Sequence, residues 1–484
     1  MCAAPGSADL ADPKVPVLEK SLFYLFLALL FWAPLPFASA RIWSAGLLAA
    51  MVAALLLCWL LLYSAGAAKV RPALWRRMYL PLLLLVLLQC WVAVQCLPLP
   101  PVLVEWFSPT AFQWHARPGW LTLSLDPAYT RQYLLLGATY TAGFFLTLVL
   151  VNSRDRLTQL LWLLVLSGSF QAVYGTLMLL SGLEWGFFVE KYVGRGVATG
   201  TFVNRNHLAG YLVMCLAAGT GLLFAQLSSR AESSTRGRER MRRWLRLLLS
   251  SRLRLRVLLA LMVIALVLTR SRMGNAAFFI SLFCAGAVAQ YAGQYFSRRL
   301  ALLLLSLVVV DMAILSRWFG FDRLMDRLAS TQAQTEARTA NLPQLLEYVR
   351  DFWFTGSGGG SFYSVFPRYQ GTELKAAYLH AHNDYLQFIG ELGLPGALLL
   401  AAFVVLALRM ALAVLRGRQS RLFHGVAFAV LMTIAWALLH SSVDFNLQIP
   451  ANALTFVVLL ALAWVARVLP AKTAAPRAVA GRAS

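Results

Sequence analysis

The chain has 484 residues, of which 60% are hydrophobic and 13% charged, whereas soluble domains carry about 25% charged residues. That balance excludes a soluble globular enzyme. The net charge of +23 would suit nucleic acid, but no basic run alternates with base-stacking aromatics, so the charge reads as a membrane-topology signal and nucleic acid is not an expected partner.

Apolar runs long enough to cross a bilayer begin near residues 21, 42, 78, 132, 157, 207, 256, 274, 299, 385, 423 and 451. They predict an all-α polytopic membrane protein of about twelve transmembrane helices, because lipid leaves no other open backbone satisfied. Residues 1–20 lead into the first helix, 21–316 hold nine helices with short loops, 317–384 form one long loop, 385–470 hold the last three helices, and 471–484 are a tail. The triplet Ala38-Ser39-Ala40 has the pattern of a signal-peptidase site. It is read as uncleaved, since the apolar run from Leu22 is long for a signal segment.

Orientation follows from lysine and arginine. With both termini in the cytoplasm, 28 of the 43 basic residues fall on the cytoplasmic side. The densest run, RGRERMRRWLRLLLSSRLRLR, lies between two spans, and its leucines at helical spacing suit an anionic inner leaflet. Four loops then face outward, at 97–131, 182–206, 317–384 and 441–452. The third carries an amphipathic helix at 341–353, read as lying on the membrane or capping a cavity, followed by GSGGGSF, read as a flexible run.

The six cysteines include no CxxC pair, so neither a zinc site nor a disulfide framework is expected, and no cofactor is. Arg195, Arg205, Arg270 and Arg272 stand at span ends on the outer side. A guanidinium beside a bilayer needs an anionic partner, from protein or ligand. His380 and His382 are two residues apart, a spacing that on a helix would face them apart and makes a metal pair weak. A histidine at this boundary suits either a general base or a helix-end hydrogen bond. Gly390, Gly393 and Gly396 at three-residue steps predict close packing on a neighbouring span, with Pro395 adding a bend. His440 and Asp444, four residues apart, read as a helix-end pair or as the lining of a polar cavity.

At these residues the chain resembles the O-antigen ligase and O-antigen polymerase family of bacterial envelope glycosyltransferases. The family's pattern of His, then Asn, Ser or Gln, then nine residues and GxxG is met by His382, Asn383, Gly393 and Gly396. The stretches from Arg195 through GTFVNRNHLAGYL, LTRSRMG with Arg272, Arg338 before the amphipathic helix, and HSSVDFNLQIPANALTF are also similar. Arg205 departs from the family, where many members have proline.

The resemblance implies a membrane glycosyltransferase of GT-C-like architecture, independent of metal. It would sit in the bacterial inner membrane with its active site periplasmic, in lipopolysaccharide or exopolysaccharide biosynthesis. The donor would be a glycan on undecaprenyl diphosphate; the acceptor, lipid A core, the growing glycan or another hydroxyl. By resemblance His382 is the catalytic base, Arg195, Arg272 and Arg338 hold the diphosphate, and His380, Asn383, Asp384, His440 and Asp444 stand behind them. Protein O-oligosaccharyl transfer is an alternative. A transporter or flippase of a lipid-linked sugar is another, weakened by halves that do not resemble each other and by Asp311 being the one clear mid-span charge.

Overall fold

The computed structural model describes residues 15–115, 119–226, 251–293, 341–370, 378–418 and 420–470. The long helices are α1 (Val15–Trp32), α2 (Ile42–Ser64), α3 (Pro72–Gln95), α6 (Pro127–Leu150), α7 (Arg154–Ser181), α8 (Arg205–Gln226), α9 (Ser251–Leu268), α10 (Arg272–Gly293), α13 (Asp384–Gly417), α14 (Arg421–His440) and α15 (Pro450–Val468). The short helices α4 (Pro101–Phe107), α5 (Pro109–Trp114), α11 (Leu342–Phe352) and α12 (Phe362–Val365) lie between them. Among the described residues nine helices are long and apolar enough to cross a membrane. The helices α1 and α9, of 18 residues each, stand where two more spans are expected. The span expected from residue 299, with Asp311, the basic run up to residue 250 and the tail 471–484 lie outside the described residues.

Local sequence starts and stops these helices. Pro127 at the first position and the Asp126 carboxylate accepting from Tyr129 N at 3.2 Å open α6. Ser153 caps α7 through Arg156 N at 3.2 Å, and Gly182 ends it at φ 72°, the left-handed conformation a glycine accepts most readily.

The helices α8, α14 and α15 are buried along nearly their whole length, while α2, α3 and α13 leave broad apolar faces open to lipid. Gly221 of α8 and Gly425 of α14 face each other so closely that a Cβ on either would run into the other's carbonyl. Small residues at such a crossing let two backbones pack without a side chain between them. The antiparallel crossing brings the start of α8 and the end of α14 to the same end of the bundle.

At that end the described parts of the loops at 97–131 and 317–384 build a small core of their own, with Val104, Ala111, Leu123, Tyr348, Phe352 and Phe366 at its centre. The amphipathic helix expected at 341–353 is α11, and its buried face, Leu345, Tyr348 and Phe352, points into this core. The GSGGGSF run, expected to be flexible, is instead packed: residues 356–359 are buried. A Cβ on Gly358 would strike Ser124, and one on Gly359 would lie 2.7 Å from the Tyr133 ring.

The glycine stripe of α13 also serves a different neighbour from the one expected. Gly390 meets the Tyr348 ring of α11, and Gly393 meets the backbone at Phe354, Thr355 and Gly356; only Gly396 approaches a span, at Trp91 of α3. The bend near Pro395 centres on Gly393, whose φ of 64° and ψ of −177° break the helix. The carbonyls of Gly390, Glu391 and Leu392 at this break find partners outside the helix. Ser357 N donates to Gly390 O at 2.8 Å, Gly358 N and Gln95 Nε2 to Glu391 O at 3.0 and 2.9 Å, and Trp91 Nε1 to Leu392 O at 2.6 Å. Irregular backbone at membrane depth persists only where protein satisfies it.

Candidate active site

The long helices that begin at this end include α8, α10, α13 and α15, and α14 finishes there. Each beginning leaves unpaired N–H groups and the positive end of a helix dipole, so the region favours negative charge. Local sequence produces each beginning. Asn204 Oδ1 accepts from Asn206 N at 2.8 Å before α8, Ser271 Oγ from Gly274 N at 3.1 Å at α10, and Asn383 Oδ1 from Leu386 N at 3.1 Å at α13.

Asp444 lies at the centre. It is 1% exposed and sits in the loop after α14, where its N–H donates to His440 O at 3.1 Å. Asn206 Nδ2 donates to Oδ2 and Phe445 N to Oδ1 at 2.8 Å. His207 Nε2 stands 3.7 Å and His382 Nδ1 3.9 Å from the same Oδ1. Burial pushes the acid toward its neutral form, but hydrogen bonding and charge from His207, the nearby His440 and the Phe445 amide outweigh it. The carboxyl is held below the usual range, so Asp444 is an anion at neutral pH.

Phe445 fixes the histidines. Its ring stacks on His380 at 4.2 Å between centroids and meets the edges of His207 at 4.6 Å and His382 at 4.8 Å. His382 itself has φ 51°, a left-handed backbone that costs a non-glycine residue about 1–3 kcal/mol and that collects at functional sites. Its side chain remains 31% exposed. With Nδ1 turned to a buried carboxylate, this ring can accept a proton on its far nitrogen from a group arriving at the cluster.

The other expected groups support this frame. Gln387 Nε2 lies 3.1 Å from His380 Nδ1, and Gln387 also donates to Glu391. Burial, then the nearby His207 and His382, push His380 down to about 4, so it is a neutral platform at pH 7. Asn383 Nδ2 reaches Ser442 O at 3.0 Å. Asp384 is fully buried, accepting from Ser441 Oγ at 3.0 Å and tying the start of α13 to the α14 turn. His440 Nδ1 lies 2.8 Å from Asn446 Nδ2, so the expected His440–Asp444 pair shares a cluster without a direct side-chain bond being needed.

The arginines are distributed less evenly. Arg272 opens α10 beside the first turns of α8, where a Cβ on Gly274 would stand 2.6 Å from Ala209 Cβ. Its neighbour Arg270 has φ 53°. Arg195 follows the hairpin β1 (Trp185–Gly186) and β2 (Val189–Glu190). There its Nη2 pairs with Glu190 at 2.6 Å and its Nε donates to Lys191 O at 2.7 Å. Ala198 N donates to Leu268 O at 3.0 Å, which ties this loop to the end of α9 just before Arg270. Arg338 lies outside the described residues. Among the described residues no group of three or more His, Cys, Asp or Glu is placed to hold a metal ion.

Sequence reasoning passed over His207, Asn206 and Phe445. The NRNH run at 204–207 was visible as a polar start to an apolar helix, but nothing in it announced a partner 238 residues later.

Residues 257–401 match the O-antigen ligase family, Wzy_C. The matched region of the O-antigen ligase family takes in Arg272, Arg338, His382, Asn383, Gly393 and Gly396, and it leaves out Arg195, His207, His440 and Asp444. The resemblance read from the HN…GxxG pattern therefore holds over this region, and O-antigen ligases are enzymes. No curated protein matches the chain.

Proposed function

We propose that the chain transfers a glycan from undecaprenyl diphosphate to an acceptor hydroxyl at the periplasmic face of the bacterial inner membrane, as an O-antigen ligase or polymerase. The observation that carries this reading is the His382 ring, part-exposed, with its Nδ1 facing the buried Asp444 carboxylate at 3.9 Å.

In this reading His382 Nε2 takes the proton of the acceptor hydroxyl. The acceptor oxygen forms a bond to the anomeric carbon while the bond from that carbon to the diphosphate breaks, and undecaprenyl diphosphate leaves with the electron pair. The Asp444 anion keeps the ring in the tautomer that presents Nε2 and stabilises the imidazolium that forms. The departing charge is met by Arg272 and Arg338, with Arg195 joining by leaving Glu190 or sharing its charge, and by the helix starts of α8 and α10. Neither metal nor cofactor enters any step. Direct displacement of this kind inverts the anomeric centre.

The test is complementation of a strain lacking the protein with wild type, His382→Ala and Arg272→Ala at equal membrane levels, resolving surface glycan and lipid-linked intermediates. Loss of surface glycan with lipid-linked glycan accumulating on the outer side is expected. Accumulated single repeats assign a polymerase, and accumulated long chains a ligase with lipid A core as acceptor. Variants that behave like wild type, or intermediates retained on the cytoplasmic side, would overturn the transferase reading in favour of a flippase.

A further inference from the structure

At the opposite end of the bundle α7 begins while α13 and α15 finish, with α13, 34 residues long, separating the two ends by about 50 Å of helix. Three arginines meet there. Arg154 and Arg418 both lie over the ring of Phe423, with Cζ 4.9 and 4.7 Å from its centroid. A Cβ on Gly417 would stand 3.6 Å from Arg467 Nη1, placing the third guanidinium beside the other two.

Their partners are neutral. Arg154 Nη2 donates to Ser420 Oγ at 2.9 Å, and Arg418 Nη2 donates to the Leu469 carbonyl. The Nε of Arg467 is buried with no hydrogen-bond partner. Among the described residues no carboxylate is within ion-pair distance of any of the three: Glu19 is taken by Arg156 at 2.8 Å, and Asp155 is exposed. Burial and then the charges of Arg467 and Arg154 depress the protonated form of Arg418. Three half-buried guanidiniums stay together at the edge of an apolar bundle only if something offsets their repulsion.

We propose that Arg154, Arg418 and Arg467 form a binding site for a phosphate anion, supplied by an anionic phospholipid headgroup or by free phosphate. Guanidiniums suit phosphate because their planar N–H pairs match two phosphate oxygens at once. Basic pockets between helix ends are where anionic headgroups bind. Phe423 holds two of the three arginines in place before the anion arrives, which lowers the ordering cost of binding. The site is independent of the transfer chemistry at the other end.

The experiment uses the full chain in detergent, with unfolding followed by tryptophan fluorescence during titration with short-chain phosphatidylglycerol, short-chain phosphatidylcholine or inorganic phosphate. Phosphatidylglycerol is expected to raise the melting temperature and phosphatidylcholine to leave it unchanged. The double variant Arg418→Gln/Arg467→Gln is expected to weaken the apparent affinity at least about tenfold, the equivalent of one charge-assisted contact. Arg350→Gln, on the exposed face of α11, is expected to change nothing. If the double variant does not fold, Arg154→Gln alone, which keeps the Arg418–Leu469 bond, is expected to show the same direction. A rise of equal size with inorganic phosphate, lost in the variant, assigns the site to free phosphate. An equal rise with phosphatidylcholine, a variant that keeps the wild-type response, or no response to either anion overturns the proposal.

Discussion

His382 Nδ1 and Asp444 Oδ1 stand 3.9 Å apart, joining residues from two loops 62 positions apart in the chain. The carboxylate is buried and anchored by Asn206 and its own neighbouring amide, while the imidazole is the more exposed partner. In the proposed transfer, an acid that orients the base is a unit whose value is read from turnover rather than binding. Asp444→Asn should therefore lower the rate of glycan transfer about 10- to 100-fold with donor affinity little changed. Retained turnover, or a loss confined to donor binding, would remove Asp444 from this role.

Phe445 touches three histidines with one ring. Phe445→Ala should release all three and reduce turnover, whereas Phe445→Tyr should keep most of it because the ring faces survive. Comparing the two variants in the same transfer assay at equal membrane levels checks this. Equal activity in Phe445→Ala would show that the histidines are held by other contacts.

Gly390 lies against the ring of the fully buried Tyr348. Gly390→Ala places a methyl where the ring stands, an overpacking that costs about 1–3 kcal/mol. A lower melting temperature in detergent is expected, and Tyr348→Leu should recover part of it in the double variant. A Gly390→Ala protein as stable as wild type would mean that the Tyr348 ring yields to the added methyl.

Gln95 is a second structural test. Its Nε2 serves Thr355 O at 2.7 Å and Glu391 O at 2.9 Å, and its Oε1 accepts from Gly359 N at 3.1 Å. Gln95→Leu leaves these groups short of partners in an apolar setting, at about 1–3 kcal/mol. Hydrogen exchange should rise at residues 355–359 before it rises elsewhere, and uniform protection would refute the assignment.

His380 gives a pH dependence with a definite sign. Its folded value is pushed down to about 4, below the roughly 6.5 of an unfolded histidine. Between these values the unfolded chain binds a proton that the folded chain refuses, so stability is full above about pH 6.5 and declines as pH falls toward 4. Asp444, with its carboxyl held low, adds a loss only where pH falls below the ordinary carboxylate range. Melting temperature measured from pH 7.5 to 4.5 should fall, and His380→Asn should flatten that fall. A pH-independent wild type would contradict it.

Much of the fold was legible because apolar runs of span length have one structural outcome in lipid. The α11 helix was equally readable from its amphipathic spacing. His382 and Asn383 stood out by motif, and both stand just before α13, with Asn383 as its cap. What sequence could not convey was pairing across distance. Asn206 and His207 look like ordinary helix-start residues until the antiparallel α8–α14 pair, packed at Gly221 and Gly425, brings them to Asp444, and Phe445 looks like an ordinary loop residue until the histidines gather on its ring. GSGGGSF misled for a related reason. Glycine permits freedom, but it also permits contact too close for any side chain, and here Ser124, Tyr133 and Glu391 use it that way.

The broken backbone at Gly393 also defines a unit of exchange. Segment 353–358, the first turns of α13, and Trp91 with Gln95 on α3 complete one another's hydrogen bonds across some 300 residues of sequence. A chimera that swaps the long loop before α13 at its obvious ends would separate donors from their acceptors. Grafts that carry all three pieces together would keep the bonds closed, so recombination is best made along this seam rather than along the helix boundaries.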